Sequence, residues 1–207
     1  MKIVRLSSVL LALLASPAAP GAEQGSAGEV VLLRGTATVT QDGRTLKLYR
    51  GASVLVGDQL RTGNNARLKL RMIDGTDIAL GENSEFIVHA YELDTDAGIG
   101  KATLELTRGF FRAITGKITK LREKSFQVKT PLAVIGVRGT DFWGEQSASR
   151  FRVAMLSGTA IVVSNDYGSV EITEAGLGTE VTAPGQAPRA PFRWTPEQIK
   201  QAAGTVD

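Results

Sequence analysis

The stretch Arg67-Leu68-Lys69-Leu70-Arg71-Met72 alternates charged and apolar side chains without a break, and Thr103-Leu104-Glu105-Leu106-Thr107 and Phe126-Gln127-Val128-Lys129 repeat the pattern. A period of two puts every apolar residue on one face of an extended chain and every charge on the other, so these segments are half-buried strands rather than helices. Asp42-Gly43, Asp74-Gly75 and Arg108-Gly109 interrupt the runs. Asp-Gly between alternating segments is a tight-hairpin signal, and turn signals spaced about 8 to 12 residues apart mark an all-β domain.

A longer-range regularity lies on top of this alternation. Val30-Val31-Leu32-Leu33-Arg34-Gly35-Thr36-Ala37-Thr38-Val39 aligns with Val153-Ala154-Met155-Leu156-Ser157-Gly158-Thr159-Ala160-Ile161-Val162 at an offset of 123, with six identities in ten. Beyond it, Gly43 and Gly51 enclose one short strand pattern, and Gly168 and Gly176 enclose another at the same spacing. Recurring glycine-punctuated strands point to a stacked β-coil, solenoid-like domain in which each unit buries its face against a neighbour. On that reading Gly35 and Gly158 occupy equivalent places in adjacent units; a β-sandwich is the alternative.

The two ends of the chain read differently. Residues 1–22 carry Lys2 and Arg5, the apolar run Val9 to Ala15, then small residues and prolines, which is the layout of an export signal. The run is shorter than the roughly 20 residues a membrane helix needs, so the expectation is removal of the signal and no transmembrane segment afterwards. Without Lys2 and Arg5 the 24 basic residues become 22 against 21 acidic ones, a balance that calls for no nucleic acid partner. There is no cysteine, which excludes lipid anchoring through a thiol and disulfides. The β domain is expected over residues 28–183, followed over 184–207 by a proline-rich tail, extended and linker-like. Thr195-Pro196-Glu197 has the form of a cap and first turn, starting a short C-terminal helix towards Ala203.

Chemistry is sparse. His89 is the single histidine and sits in an apolar run, which suits a solvent-facing or locally bonded strand residue and leaves no zinc site or nucleophile-histidine pair. Asp94-Thr95-Asp96-Ala97-Gly98 misplaces the glycine of a calcium loop and reads as a solvated hairpin. No cofactor, metal or catalytic residue is expected, and the glycines, with no strand-to-helix phosphate loop among them, are turn residues. Trp143, Phe110 and Phe111 are expected in the core. Two places hold unusual charge. Arg138, between Gly136 and Gly139, reads as a structural pin paired with Asp141, Asp74 or Asp77 inside a tight turn, or else as an anion contact. Lys117, Lys120, Arg122 and Lys124 form a basic stretch without alternation, a loop or single helical turn and the candidate interaction loop.

Taken in order, Gly51, Val56-Gly57-Asp58-Gln59-Leu60-Arg61-Thr62-Gly63, Asp74-Gly75-Thr76, Leu80-Gly81-Glu82-Asn83-Ser84, Leu106-Thr107-Arg108-Gly109-Phe110-Phe111-Arg112, Val128-Lys129-Thr130-Pro131, Val137-Arg138-Gly139-Thr140-Asp141-Phe142 and Leu156-Ser157-Gly158-Thr159 resemble the FecR family domain. The resemblance spans roughly residues 30 to 182. It implies a periplasmic β-rich domain that, in signalling members, relays a signal from an outer-membrane receptor to a sigma factor. It also marks Gly57, Asp58, Asp74, Gly75, Thr130, Pro131, Arg138, Gly139 and Thr140 as family-motif positions of a structural kind. With only about 20 residues before the domain, a sigma-factor-binding segment is not expected. The expectation is a non-enzymatic binding module of the bacterial envelope, periplasmic or secreted, that recognises a protein partner such as a receptor or sensor. The alternative partner is peptidoglycan or another polysaccharide.

Overall fold

The computed structural model describes residues 25–207; the export signal expected over 1–22 lies outside them. Fifteen strands belong to one hydrogen-bonded mixed sheet. They are β1 (Ser26–Arg34), β2 (Ala37–Gln41), β3 (Arg44–Lys47), β4 (Ser53–Leu55), β5 (Gln59–Thr62), β6 (Arg67–Met72), β7 (Asp77–Leu80), β8 (Glu85–Asp94), β9 (Ile99–Ile114), β10 (Glu123–Lys129), β11 (Val134–Gln146), β12 (Phe151–Asn165), β13 (Gly168–Ile172), β14 (Leu177–Val181) and β15 (Phe192–Arg193). A 3-10 turn at Ile118–Lys120 precedes β10, and α1 (Pro196–Gly204) closes the chain. The alternating sequences occupy β6, β9 and β10 as expected, and Leu68, Leu70, Met72, Leu104, Leu106, Phe126 and Val128 point into one continuous core. Each such fully buried side chain contributes about 1.5 to 3 kcal/mol.

Every ladder is antiparallel except β9 with β10. A coil stacks equivalent strands parallel, one turn above the next, so these ladders do not show the solenoid-like arrangement expected from the repeat. The repeat nonetheless has a structural counterpart. β1 pairs with β4 and leads through Gly35 into β2, which makes a hairpin with β3. In the same way the first half of β12 pairs with β14, and its second half makes a hairpin with β13. Both glycines have positive φ, +74° at Gly35 and +114° at Gly158. The two copies are not adjacent, however: β6, β7, β9 and β11 lie between β1 and β12.

Arg108-Gly109 is likewise no turn. Gly109 bends β9 in mid-strand with φ +98°, so residues 99–105 ladder with β10 and residues 109–114 with β11. A positive-φ glycine within a strand shifts the face its neighbours present and lets one long strand serve two ladders. Asp42-Gly43, in contrast, is the hairpin turn expected, with φ positive at both residues.

The tail is extended but does not behave as a linker. β15 pairs with β14, the Thr179 hydroxyl donates to the Arg189 carbonyl, and Trp194 is buried. Thr195 and Gln198 form a reciprocal capping box at the start of α1. The helix covers a second apolar cluster of Trp143, Ala154, Trp194, Ala202 and Val206. Trp143 and Trp194 meet edge to face at 5.5 Å, and the Trp143 indole N–H donates to Thr205 Oγ1 at 2.9 Å. Phe111 is core as expected, whereas Phe110 is half-buried beside Trp143.

Candidate functional site

Asp74 closes the turn between β6 and β7, yet it is 1% exposed. A buried carboxylate persists only where hydrogen bonds replace its water. Its Oδ1 accepts from the Tyr91 hydroxyl at 2.6 Å and the Thr76 N–H at 2.9 Å; Oδ2 accepts from Thr76 Oγ1 at 2.9 Å and the Ile118 N–H at 3.1 Å. The Asp74 carbonyl takes the Lys117 N–H at 2.9 Å, and the Gly116 N–H donates to Thr76 Oγ1 at 2.8 Å. Any side chain at Gly116 would strike the Asp74 carbonyl, 2.4 Å from a Cβ placed there. Burial, reinforced by the neighbouring Asp74 charge, pushes the Tyr91 phenol far above its ordinary pKa, so the phenol stays a donor.

The opposite side of segment 115–120 is held by β11. The Thr140 N–H donates to Thr115 Oγ1 at 2.9 Å, the Thr115 N–H returns to the Thr140 carbonyl at 3.2 Å, and Thr140 Oγ1 donates to the Ala160 carbonyl at 2.9 Å. Gly139 takes φ +64° against Gly158 of β12, and a Cβ on Gly158 would lie 2.3 Å from the Gly139 carbonyl. The family-motif residues Asp74, Gly75, Gly139 and Thr140, distant in sequence, thus together clasp the segment that carries the basic loop.

The loop itself is ordered and its charges face water. Ile118 and Thr119 are buried, whereas Lys117, Lys120, Arg122 and Lys124 are exposed. Arg122 approaches Glu123 at 3.6 Å. Among the described residues Lys117, Lys120 and Lys124 make no ion pair. Arg138 adds to this surface instead of pinning the fold. Its side chain is 66% exposed and meets Glu171, half exposed, at 3.5 Å. The acids expected to hold Arg138 are taken by others: Asp141 is bidentate with Arg112 at 2.8 and 2.9 Å, Asp77 pairs with Arg71, and Asp74 makes the contacts above. Arg138 lies in β11, where residues alternate between faces, and its position falls on the solvent side. Lys124 and Arg138 line one groove of about 390 Å³ with Gln127, Gly136 and Val162.

The remaining motif residues lie elsewhere. Asp58, 1% exposed, follows Gly57 in the β4–β5 turn, and its Oδ2 accepts from the Leu55 N–H at 2.8 Å and Gln41 Nε2 at 3.0 Å. Burial raises its pKa against those two bonds. Thr130 Oγ1 accepts from the Ala133 N–H at 3.0 Å, closing the β10–β11 turn, and with Pro131 it borders a separate groove of about 260 Å³ next to the exposed Tyr167. His89 is exposed with Nε2 2.7 Å from Glu105 Oε2. Sequence reasoning misses Tyr91, Thr115 and Gly116. A buried Tyr at the end of an alternating strand is a visible signal; Thr115-Gly116 carries none, because its role depends on which strands pair beside it.

These features define a β-rich domain that presents a fixed cationic loop. Residues 58–160 match the FecR protein family, and that segment is a FecR domain. No curated protein matches the chain significantly. Two crystal structures of a putative anti-sigma factor from Parabacteroides distasonis ATCC 8503 are similar in fold, with TM-scores of 0.55 and 0.53. Each is 14% identical over 69% of this chain, which spans 62% of the length of that protein's chain.

Proposed function

We propose that this domain is a non-enzymatic, exported binding module that takes part in sigma-factor signalling at the cell envelope by engaging a protein partner through the Lys117–Lys124 loop and Arg138. The observation that carries this reading is the contrast inside one segment: its backbone is fixed by the Ile118 N–H donating to Asp74 and the Thr115 N–H donating to the Thr140 carbonyl, while its cationic side chains are left to solvent. Order of this kind pre-organises a contact surface and lowers the entropy lost on binding. The FecR domain and its likeness to a putative anti-sigma factor supply the signalling context. Export rests on residues 1–22, and mass spectrometry of the mature protein should find a new N-terminus between about residues 18 and 24. Among the described residues no helix is long and apolar enough to cross a membrane.

The test is affinity capture from an envelope extract with the wild-type protein and with a Lys117→Ala, Lys120→Ala, Arg122→Ala, Lys124→Ala variant. A signalling protein captured by the wild type and lost with the variant is the expected result. Equal capture by both overturns the surface assigned here. A polysaccharide ligand is the second reading, favoured by the exposed Tyr167 at the rim of the Thr130–Pro131 groove. Co-sedimentation with isolated peptidoglycan that Tyr167→Ala abolishes would support it.

A further inference from the structure

We infer that the split between β10 and β11 accepts an extended, acidic segment of the partner as an added strand against the edge of β10. This deepens the protein-partner reading above and rests on it. β10 ladders with β9 along its whole length from Glu123 to Lys129, but with β11 only over Gln127, Val128 and Lys129. Glu123 to Phe126 therefore have a strand on one side only. On the facing strand, Val137 and Arg138 are paired with β12, while the ladder of β11 with β9 begins only at Asp141. Two strand edges thus diverge from the Gln127–Gly136 pair, and the groove of about 390 Å³ opens there. Gly136 leaves room at its floor, since even a Cβ at that position would meet only the Val162 carbonyl, at 3.9 Å.

A row of ladder groups with no partner strand is a template for another chain, and extended peptides bind by completing such a sheet. At about 3.3 Å per residue, the four-residue edge suits a segment of about four residues. The charge around the split states which side chains that segment carries. Lys124 and Arg138 stand on its two walls, and Lys129 and Lys120 are exposed nearby in sequence. Of the acids, Glu123 is engaged by Arg122 and Glu171 by the largely exposed Arg138, which leaves Lys124, Lys120 and Lys129 without an ion pair among the described residues. Acidic side chains are complementary to this field, and a basic strand, including a second copy of β10 itself, is repelled. A polyanionic glycan would satisfy the charge but would leave the strand edge unused, which favours the peptide.

The test measures binding of the mature chain to a decapeptide of alternating Glu and Val. Micromolar binding is expected, weakening as salt rises. The Lys–Val decapeptide and a Glu–Val decapeptide N-methylated at alternate amides should each bind at least about tenfold more weakly. Lys124→Glu with Arg138→Glu should lower Glu–Val affinity at least about tenfold, while Lys47→Glu on β3, away from the split, should not. Equal binding of the N-methylated peptide overturns strand addition. Binding of a heparin decasaccharide with no binding of any peptide overturns the proposal in favour of a glycan. If no peptide binds but the loop-dependent partner is still captured, this inference fails while the functional reading stands. If no protein partner is captured at all, that reading fails with it.

Discussion

The chain uses the same three-residue device twice, as Asp74-Gly75-Thr76 and as Arg138-Gly139-Thr140. Each places a charged residue before a glycine of positive φ and a buried threonine. In the first, the charge turns inward and is saturated by four hydrogen bonds. In the second, it turns outward and meets one partly exposed acid at 3.5 Å. Both threonines reach segment 115–120, Thr76 through Gly116 and Thr140 through Thr115. A shared local pattern therefore fixes the backbone while leaving the charged side chain free to point either way, inward to a structural network at Asp74 and outward to solvent at Arg138, where we propose that it meets a partner.

The contrast is most vulnerable at its buried side. Asp74→Ala strands the Tyr91 hydroxyl and the Thr76 and Ile118 N–H groups without acceptors, so unfolding in urea should show a loss of about 4 kcal/mol or more. Amide exchange at 116–120 should rise beyond what global destabilisation explains. Next is Gly158→Val, which meets both a φ of +114° and the Gly139 carbonyl at 2.3 Å and should cost about 3 kcal/mol. Tyr91→Phe removes a single donor from a carboxylate that keeps three, and should cost about 1 kcal/mol by the same titration.

Asp58, a second buried turn carboxylate, extends the comparison through pH. Its folded pKa lies above the ordinary 3.8, so the folded state holds this proton more tightly than the unfolded chain does. Its contribution favours folding in full below pH 3.8, fades as pH rises through the raised folded value, and is gone at neutral pH. Asp58→Asn should therefore flatten that part of the stability profile, and a profile identical to wild type would refute it. Arg138→Ala comes last, with a change within about 0.5 kcal/mol, the small value usual for an exposed pair.

Sequence reasoning reaches the strands because period-two alternation is a local property, carried entirely by neighbours such as Arg67–Met72. It reaches the helix because Thr195-Pro196-Glu197 carries its own start signal. It does not tell a turn from a bend: Arg108-Gly109 and Arg138-Gly139 look like Asp42-Gly43 in one dimension, and only the ladder partners distinguish a hairpin from a strand that changes partners. For the same reason the expected pairing of Arg138 is not the one observed. Choosing among Asp74, Asp77 and Asp141 depends on which face each strand shows, and one mid-strand glycine reverses that. The basic loop is legible as a charge run, whereas the clasp that orders it joins residues about 25 to 44 positions apart.

The most direct test of the interactive role assigned to the Arg138 side is photocrosslinking in intact cells from positions 124 and 138, with positions 46 and 167 as comparison sites. Protein adducts are expected from 124 and 138 that Lys120→Glu diminishes, and none of the same mass from 46 or 167. Adducts confined to 46 or 167 would contradict that role.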